Sequence, residues 1–109
     1  MQSRLLTIRA VADDNIRQAV VHYAQAAGAD VARRFIDAVQ RSFFAIARTP
    51  RAGSPRWAHE LNLPGLRSYR VKGFPWLVFY MALDGGIEVW RVIDARRDIP
   101  AWMTEMPDT

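Results

Sequence analysis

The sequence predicts an α+β domain of element order β-α-α-β-β-β, in which an N-terminal helical hairpin packs on one face of an antiparallel twisted sheet. Three observations support this prediction. Apolar residues recur with helical spacing between residues 13 and 48. The run Trp76–Leu83 is continuously apolar, which is typical of a strand buried on both faces. It is followed by Asp84, Gly85 and Gly86, a sequence that favours a tight turn between antiparallel strands.

The N-terminal part of the chain is predicted to form a strand and then a helix. Alternation of apolar and polar residues predicts the first strand at residues 4–12. Asp13 or Asp14 is the expected N-cap of the first helix, because a carboxylate there accepts hydrogen bonds from free backbone N–H groups. Gly28 is expected to end this helix. Its apolar stripe consists of Ile16, Ala19, Val20, Tyr23 and Ala24.

A second helix is predicted to follow after a very short link. Asp30 is its expected N-cap, and Thr49 and Pro50 are expected to stop it. Two helices joined by so short a link form an antiparallel hairpin. The apolar stripe of the second helix consists of Val31, Phe35, Ala38, Val39, Ser42, Phe43 and Ile46.

The remaining chain is predicted to contain a long loop and three strands. Residues 50–65 include three prolines and two glycines and are expected to form a loop, which Trp57 fastens to the body. The strands are predicted at residues 66–71, Trp76–Leu83 and 87–93. We expect the first strand to lie at or near an edge of this sheet. We also expect the sheet face opposite the helices to be partly open.

Length and composition indicate one domain over residues 1–109, with residues after about 103 expected to be mobile. The net charge is +4 and cysteine is absent. Of the fifteen basic residues only Lys72 is lysine, so fourteen are arginine. Arginine pairs in two-pronged fashion with carboxylate and phosphate, which fits an acidic protein, a ribosome or nucleic acid as a partner. Codon usage in a GC-rich genome explains the same bias equally well.

Several functional classes are disfavoured by the sequence. The N-terminal segment lacks the apolar core of a secretion signal, and no run approaches the roughly 20 apolar residues of a membrane span. We therefore expect a cytoplasmic protein with no membrane partner. Histidine and acidic residues do not show metal-ligand spacing, and there is no phosphate-binding glycine loop. No cofactor and no metal are expected.

Four stretches, in this order and at this length of chain, resemble the RelE/ParE superfamily of small bacterial toxins. They are Thr49-Pro50-Arg51-Ala52-Gly53, Leu66-Arg67-Ser68, Val78-Phe79-Tyr80 and the segment VWRVIDARRD at residues 89–98. The resemblance implies a toxin of a type II toxin–antitoxin pair that is neutralised by a cognate antitoxin. RelE-type toxins cut mRNA on the ribosome, whereas ParE-type toxins act on DNA gyrase without known nuclease chemistry.

The residues at the end of the last strand bear on the choice between these two activities. RNA cleavage requires a base, a cation and an acid. The resemblance implies a tyrosine six residues after the arginine that stands at Arg96, but this chain has Trp102 there. Indole neither gains nor loses a proton in such a reaction. If the chain is a nuclease, Arg67, Arg96 and His59 are its candidate catalytic residues.

The function predicted from sequence is therefore that of a ParE-like toxin that inhibits DNA gyrase by protein binding, with a RelE-like nuclease as the alternative. Direct nucleic-acid binding is expected only for the alternative. The predicted target-binding residues are Arg96, Arg97 and Trp102. The predicted antitoxin-binding residues are Arg67, Tyr69, Trp76, Tyr80, Trp90 and Arg91.

Structural roles compete with these functional ones. Arg96 could pair with Asp94 or Asp98, and Trp102 could seal the core. Arg91, inside a strand, fits a structural ion pair as well as an antitoxin contact. His22 lies beside the apolar stripe of the first helix and is expected to pack at its boundary.

Overall fold

The computed structural model describes residues 5–104, which form a four-stranded sheet with two long helices on one face. The predicted α+β class and element order are confirmed, with two short helices added. Residues 105–109, which include most of the tail expected to be mobile, lie outside the described residues. The elements are β1 (Leu5–Ile8), α1 (Ala10–Ala27), α2 (Ala29–Arg48), α3 (Arg56–Glu60), β2 (Leu66–Arg70), β3 (Trp76–Leu83), β4 (Gly86–Asp94) and α4 (Ile99–Thr104).

The sheet has the strand order β1-β4-β3-β2, so β1 lies at an edge as expected. Strands β2, β3 and β4 form the predicted antiparallel meander. β1, however, pairs in parallel with β4, with Leu6 opposite Ile87, and the sheet is therefore mixed. The α1–α2 hairpin separates β1 from the meander, and such a long connection allows either direction of pairing.

The first helix begins earlier than predicted. Backbone N–H of Arg9 still bonds to the carbonyl of Val89 in the sheet (3.0 Å), and the carbonyl of Arg9 already accepts from Asp13 N–H (3.0 Å). The chain thus passes from strand to helix at one residue. The predicted strand at 4–12 is too long, and neither Asp13 nor Asp14 is the N-cap.

Gly28 ends α1 as predicted and also stands directly before α2. Its φ of +97° is accessible to glycine and strained for other residues. Because α2 begins at Ala29, Asp30 lies inside its first turn and is not the N-cap. Its carboxylate instead accepts a hydrogen bond from Arg33 (2.6 Å) on the helix surface. The end of α2 at Arg48, with Thr49 after it, matches the prediction.

Both faces of the sheet are covered. The helical hairpin packs on the face that carries Val78 and Tyr80, and the cluster there includes Phe35 and Val39 of α2. The neighbouring positions of β3 point to the opposite face, where a second cluster contains Trp57 and parts of α3 and α4. Trp57 therefore fastens the loop as predicted. The expectation of a partly open face is wrong, because the tail folds back as α4 and buries Ile99 and Met103.

An irregularity in the β3–β4 ladder shapes the end of β4. Phe79 pairs with Arg91 and Tyr80 with Val89, so Trp90 has no residue opposite it. Such a bulge bends and twists a strand locally. β1 pairs only with the part of β4 before this bulge, from Gly86 to Val89. None of the helices within residues 5–104 combines the length and the apolar character that a membrane-spanning helix needs.

Candidate functional site

A cleft of about 410 Å³ lies between α1, the end of β4 and α4. Its walls combine apolar side chains with two arginines, so it offers both contact area and charge. The lining residues are Asn15, Gln18, Ala19, His22, Trp76, Val92, Ile93, Asp94, Arg96, Arg97 and Trp102.

One wall of the cleft is a face of α1. Asn15, Gln18, Ala19 and His22 stand at positions i, i+3, i+4 and i+7, which share one side of a helix. His22 is exposed, and its ring meets the edge of Tyr23 with 5.6 Å between centroids. The sequence indicated a boundary packing residue and missed that His22 faces this cleft. Its helical spacing from Asn15 is the signal that could have shown it.

The back of the cleft is held by buried hydrogen bonds around Arg91, which is 5% exposed. Its Nε donates to Oδ1 of Asn15 (2.9 Å), and its Nη1 donates to the carbonyl of Trp102 (2.9 Å). Asn15 Oδ1 also accepts from the backbone N–H of Val92 (3.1 Å). These bonds join α1, β4 and α4, and Arg91 therefore has a structural role.

Arg96 is engaged by a carboxylate, as the structural reading anticipated. Its Nε and Nη2 donate to the two oxygens of Asp94, at 2.9 and 2.6 Å, and its backbone N–H donates to Asp94 Oδ1 (2.9 Å). The hydrogen bond from the guanidinium lowers the pKa of Asp94 and raises that of Arg96. Much of the hydrogen-bonding capacity of Arg96 is thus already used.

Arg97 and Trp102 form the rim. The guanidinium of Arg97 lies over the indole ring, 5.1 Å from its centroid. Arg97 is exposed, and no carboxylate among residues 5–104 pairs with it. Trp102 is half-buried, and α4 is capped by Asp98, whose Oδ1 accepts from Ala101 N–H (3.3 Å). The rim therefore presents a cation on an aromatic surface.

A second set of motif residues forms a corner after α2, away from the cleft. The hydroxyl of Tyr80 donates to the carbonyl of Pro50 (2.7 Å) and accepts from Gly53 N–H (2.8 Å). Arg67 Nη1 donates to the carbonyl of Gly53 (2.6 Å). Burial raises the pKa of Tyr80, which keeps the phenol protonated. The corner is defined here as Pro50, Gly53, Arg67 and Tyr80.

Gly53 is required by the packing of this corner. A Cβ built there would lie 2.5 Å from the hydroxyl oxygen of Tyr80 and 2.9 Å from the carbonyl oxygen of Ser68. The Pro-x-x-Gly stretch, which carries part of the family resemblance, therefore brings the backbone of Gly53 close to Tyr80 and to the backbone of Ser68.

The candidate nuclease residues are not brought together. In the register of the sheet, Arg67 of β2 lies opposite Tyr80 of β3, and Tyr80 lies opposite Val89 of β4. Arg96 follows Asp94, which is the last residue of β4. The five residues after Val89, up to Asp94, extend over on the order of 15 Å of strand, so Arg67 and Arg96 lie at separate ends of the sheet. His59 is exposed in α3 and does not line the cleft. Among residues 5–104 no group of three or more histidines and acidic residues could hold a metal ion.

The predicted antitoxin-binding residues are mostly used inside the fold. Tyr80 is fully buried and Arg91 nearly so, which leaves neither surface for a partner in this conformation. Trp76 is half-buried and its indole N–H donates to the hydroxyl of Tyr23 (2.9 Å). Trp90 donates to Glu88 (2.8 Å). Tyr69 and Arg67 are also half-buried.

Comparison with known proteins gives two findings. Residues 6–99 match the family model described as the ParE toxin of the type II toxin–antitoxin system parDE. The fold is similar to a solved structure described as the chromosomal ParDE toxin–antitoxin system from P. aeruginosa, with a TM-score of 0.72 and 16% sequence identity. That similarity covers 84% of this chain and 96% of the other. No curated protein matches the chain.

Proposed function

Because the chain belongs to the ParE toxin family of type II toxin–antitoxin systems, we propose that it inhibits DNA gyrase by binding it through the cleft between α1, β4 and α4. The observation that carries the proposal is the rim of this cleft. There Arg97 has no carboxylate partner among residues 5–104 and lies over the half-buried Trp102. Arginine and tryptophan contribute a disproportionate share of binding energy at protein interfaces.

The charge of the cleft defines the surface that it would bind. Within residues 5–104 Arg97 forms no ion pair, while Asp94 is paired with Arg96. An acidic group of the target could pair with Arg97 while an apolar side chain covers Trp102. The chain and its target should then associate faster at low ionic strength, because salt screens the attraction between exposed charges. Inhibition of gyrase in this way would occur in the cytoplasm.

The experiment is a plasmid supercoiling assay with purified gyrase and ATP, in which the chain is added alone and then with its antitoxin. We expect loss of supercoiling, or accumulation of linear DNA from trapped cleavage, and reversal of either effect by the antitoxin. The matched variants are Trp102→Ala and Arg97→Ala, with Arg33→Ala as a control on the surface of α2. No effect of the wild-type chain at stoichiometric excess would refute gyrase as its target.

One observation favours the alternative, ribosome-dependent mRNA cleavage. His22 lines the same cleft as Arg96 and Arg97, so an imidazole and two cations share one site. An imidazole can transfer a proton and arginines can stabilise a charged phosphate. Translating ribosomes incubated with the chain would then yield cut mRNA, and His22→Gln would abolish the cuts without unfolding the protein. Intact mRNA would exclude this activity.

A further inference from the structure

Asn15 lies in the wall that α1 contributes to the cleft, but it is buried rather than exposed at the rim. Its side chain is 8% exposed. Its Oδ1 accepts two hydrogen bonds from β4, one from Nε of Arg91 (2.9 Å) and one from the backbone N–H of Val92 (3.1 Å). An apolar side chain at this position would leave both donors without this acceptor, which is destabilising in a buried place. The position therefore favours an oxygen atom.

The course of the sheet explains why β4 uses an acceptor from α1. β1 flanks β4 only from Gly86 to Val89. Within residues 5–104, no strand lies beside β4 on that side after Val89. The N–H of Val92 belongs to this later part of β4 and bonds to the side chain of Asn15. Asn15 thus provides there the kind of hydrogen bond that β1 provides to the first part of β4.

Arg91 connects Asn15 to α4. Its Nε is held by Asn15, and its Nη1 donates to the carbonyl of Trp102 (2.9 Å). Trp102 lies in the last turn of α4, where backbone carbonyls have no partner within the helix. The guanidinium of Arg91 also lies over the Trp102 ring, 5.6 Å from its centroid. Arg91 therefore contacts both the backbone and the ring of this rim residue.

α4 depends on such contacts because it is short. It has six residues, whereas isolated helices of fewer than about 12 residues are marginal in water. Burial of Ile99 and Met103 attaches α4 to the sheet, but apolar burial has little directional preference. A hydrogen bond has a narrow range of distance and angle. The bond from Arg91 therefore restricts the orientation of α4, and with it that of Trp102.

We propose that Asn15 is a positioning residue for target recognition. It holds the guanidinium of Arg91, and Arg91 in turn holds Trp102. Arg97 lies over the same Trp102 ring, so the geometry of the whole rim depends on this chain of contacts. Without the acceptor, Arg91 is released from α1 and the rim loses its fixed geometry. The inference rests on the proposed function, in which this rim binds gyrase, and adds to it a residue of α1 that acts through other side chains.

The first test is the affinity of purified gyrase for full-length variants, at a temperature where each variant is folded. Asn15→Leu keeps most of the side-chain volume without an acceptor and should weaken binding about tenfold, because a loosely held site binds less well. Asn15→Asp keeps an acceptor oxygen and should bind within about threefold of the wild type. Tyr80→Phe is the matched control, because it also removes two hydrogen bonds, but in the corner. It should likewise bind within about threefold.

A double-mutant cycle separates positioning from a general loss of stability. If Asn15 acts through Trp102, Asn15→Leu should change the affinity less than about threefold in a Trp102→Ala background, because the residue that it positions is absent. A full tenfold effect in that background would overturn the inference. So would wild-type affinity of Asn15→Leu, a loss of equal size in Asn15→Asp, or a loss of equal size in Tyr80→Phe.

Amide hydrogen exchange tests the positioning without gyrase. The N–H of Trp102 donates to the carbonyl of Asp98 (3.0 Å) at the start of α4. It should exchange at least tenfold faster in Asn15→Leu, and within about threefold of the wild-type rate in Asn15→Asp and Tyr80→Phe. Unchanged exchange in Asn15→Leu would overturn the inference, whether or not gyrase is bound. If the wild type does not bind gyrase but only Asn15→Leu exchanges faster, gyrase is excluded as the target and the positioning of the rim by Asn15 stands.

Discussion

The corner after α2 and the cleft beside α4 use the same kinds of residue for different ends. In the corner, Arg67 and the hydroxyl of Tyr80 bond to backbone groups of Pro50 and Gly53. At the cleft rim, Arg97 and Trp102 contact each other and leave their outer surfaces exposed. An arginine next to an aromatic ring thus has a structural role where both side chains are hydrogen-bonded to backbone groups of the same chain. Where they lack such bonds and are exposed, they are available to bind a partner.

This difference separates stability from recognition within one small domain. Substitutions in the corner should lower the free energy of unfolding and reduce activity only as far as they unfold the chain. Substitution of Arg97 at the rim should reduce target binding while the melting temperature stays nearly constant, and substitution of Trp102 should reduce target binding by more than its loss of packing explains. The predictions that follow are ordered from the largest expected effect to the smallest.

Gly53→Ala should be the most damaging substitution in the corner. The added methyl group would meet Tyr80 and the backbone of Ser68, and relieving these contacts breaks the hydrogen bonds of the phenol. We expect a loss of about 3 kcal/mol in the free energy of unfolding, measured by urea denaturation. Gly73→Ala is the matched control. Its φ is +85° with no atom within 4 Å, so about 1 kcal/mol is expected. Equal effects of both substitutions would contradict the packing argument.

Tyr80→Phe should cost less, because the ring stays in place. The buried N–H of Gly53 and the carbonyl of Pro50 would each lose a hydrogen bond, for a total of about 2 kcal/mol. Thermal unfolding followed by circular dichroism gives the measurement. The folded fraction of the variant should still bind the antitoxin and inhibit the target. A variant of unchanged stability that had lost activity would instead place the Tyr80 hydroxyl in the functional site.

Asp94→Asn should have the smallest effect on stability, and that effect should depend on pH. The pKa of Asp94 is depressed in the folded chain, mainly by the hydrogen bond from Arg96. A depressed pKa contributes stability above the unfolded value of about 3.9, and this contribution is lost as pH falls through the folded pKa. The wild type should therefore melt above Asp94→Asn at pH 7 and at the same temperature in strong acid. A difference that persists in acid would exclude the ion pair as its source.

The fold was largely predictable because its main elements depend on local patterns. The apolar run Trp76–Leu83 and the turn after it indicate a β-hairpin from local sequence alone, and β3 and β4 form that hairpin. The ends of the helices were less predictable. The sheet bond from Arg9 to Val89 fixes where α1 begins, and no local pattern near Asp13 reveals a contact 80 residues away.

The candidate site was predictable only in part. Arg96, Arg97 and Trp102 are close in sequence, and the structure keeps them together beside α4. His22 and Asn15 reach the same cleft from α1 through tertiary packing that the sequence does not show. Tyr80 is predicted as a partner contact because the sequence suggests a partly open sheet face, and Arg91 because arginine suits an acidic partner. Both side chains are buried, and burial depends on which elements cover β3 and β4.

The central claim is that the rim of the cleft binds the target. Its most direct test is the affinity of purified gyrase for the wild-type chain and for Trp102→Ala and Arg97→Ala, measured alongside their melting temperatures. The account predicts a loss of affinity of at least tenfold for each variant at a temperature where both are folded. Arg97→Ala should melt within a few degrees of the wild type, whereas Trp102→Ala should melt lower because its indole also packs against the cluster of Ile99 and Met103. Wild-type affinity in both variants, with gyrase still inhibited, would contradict it.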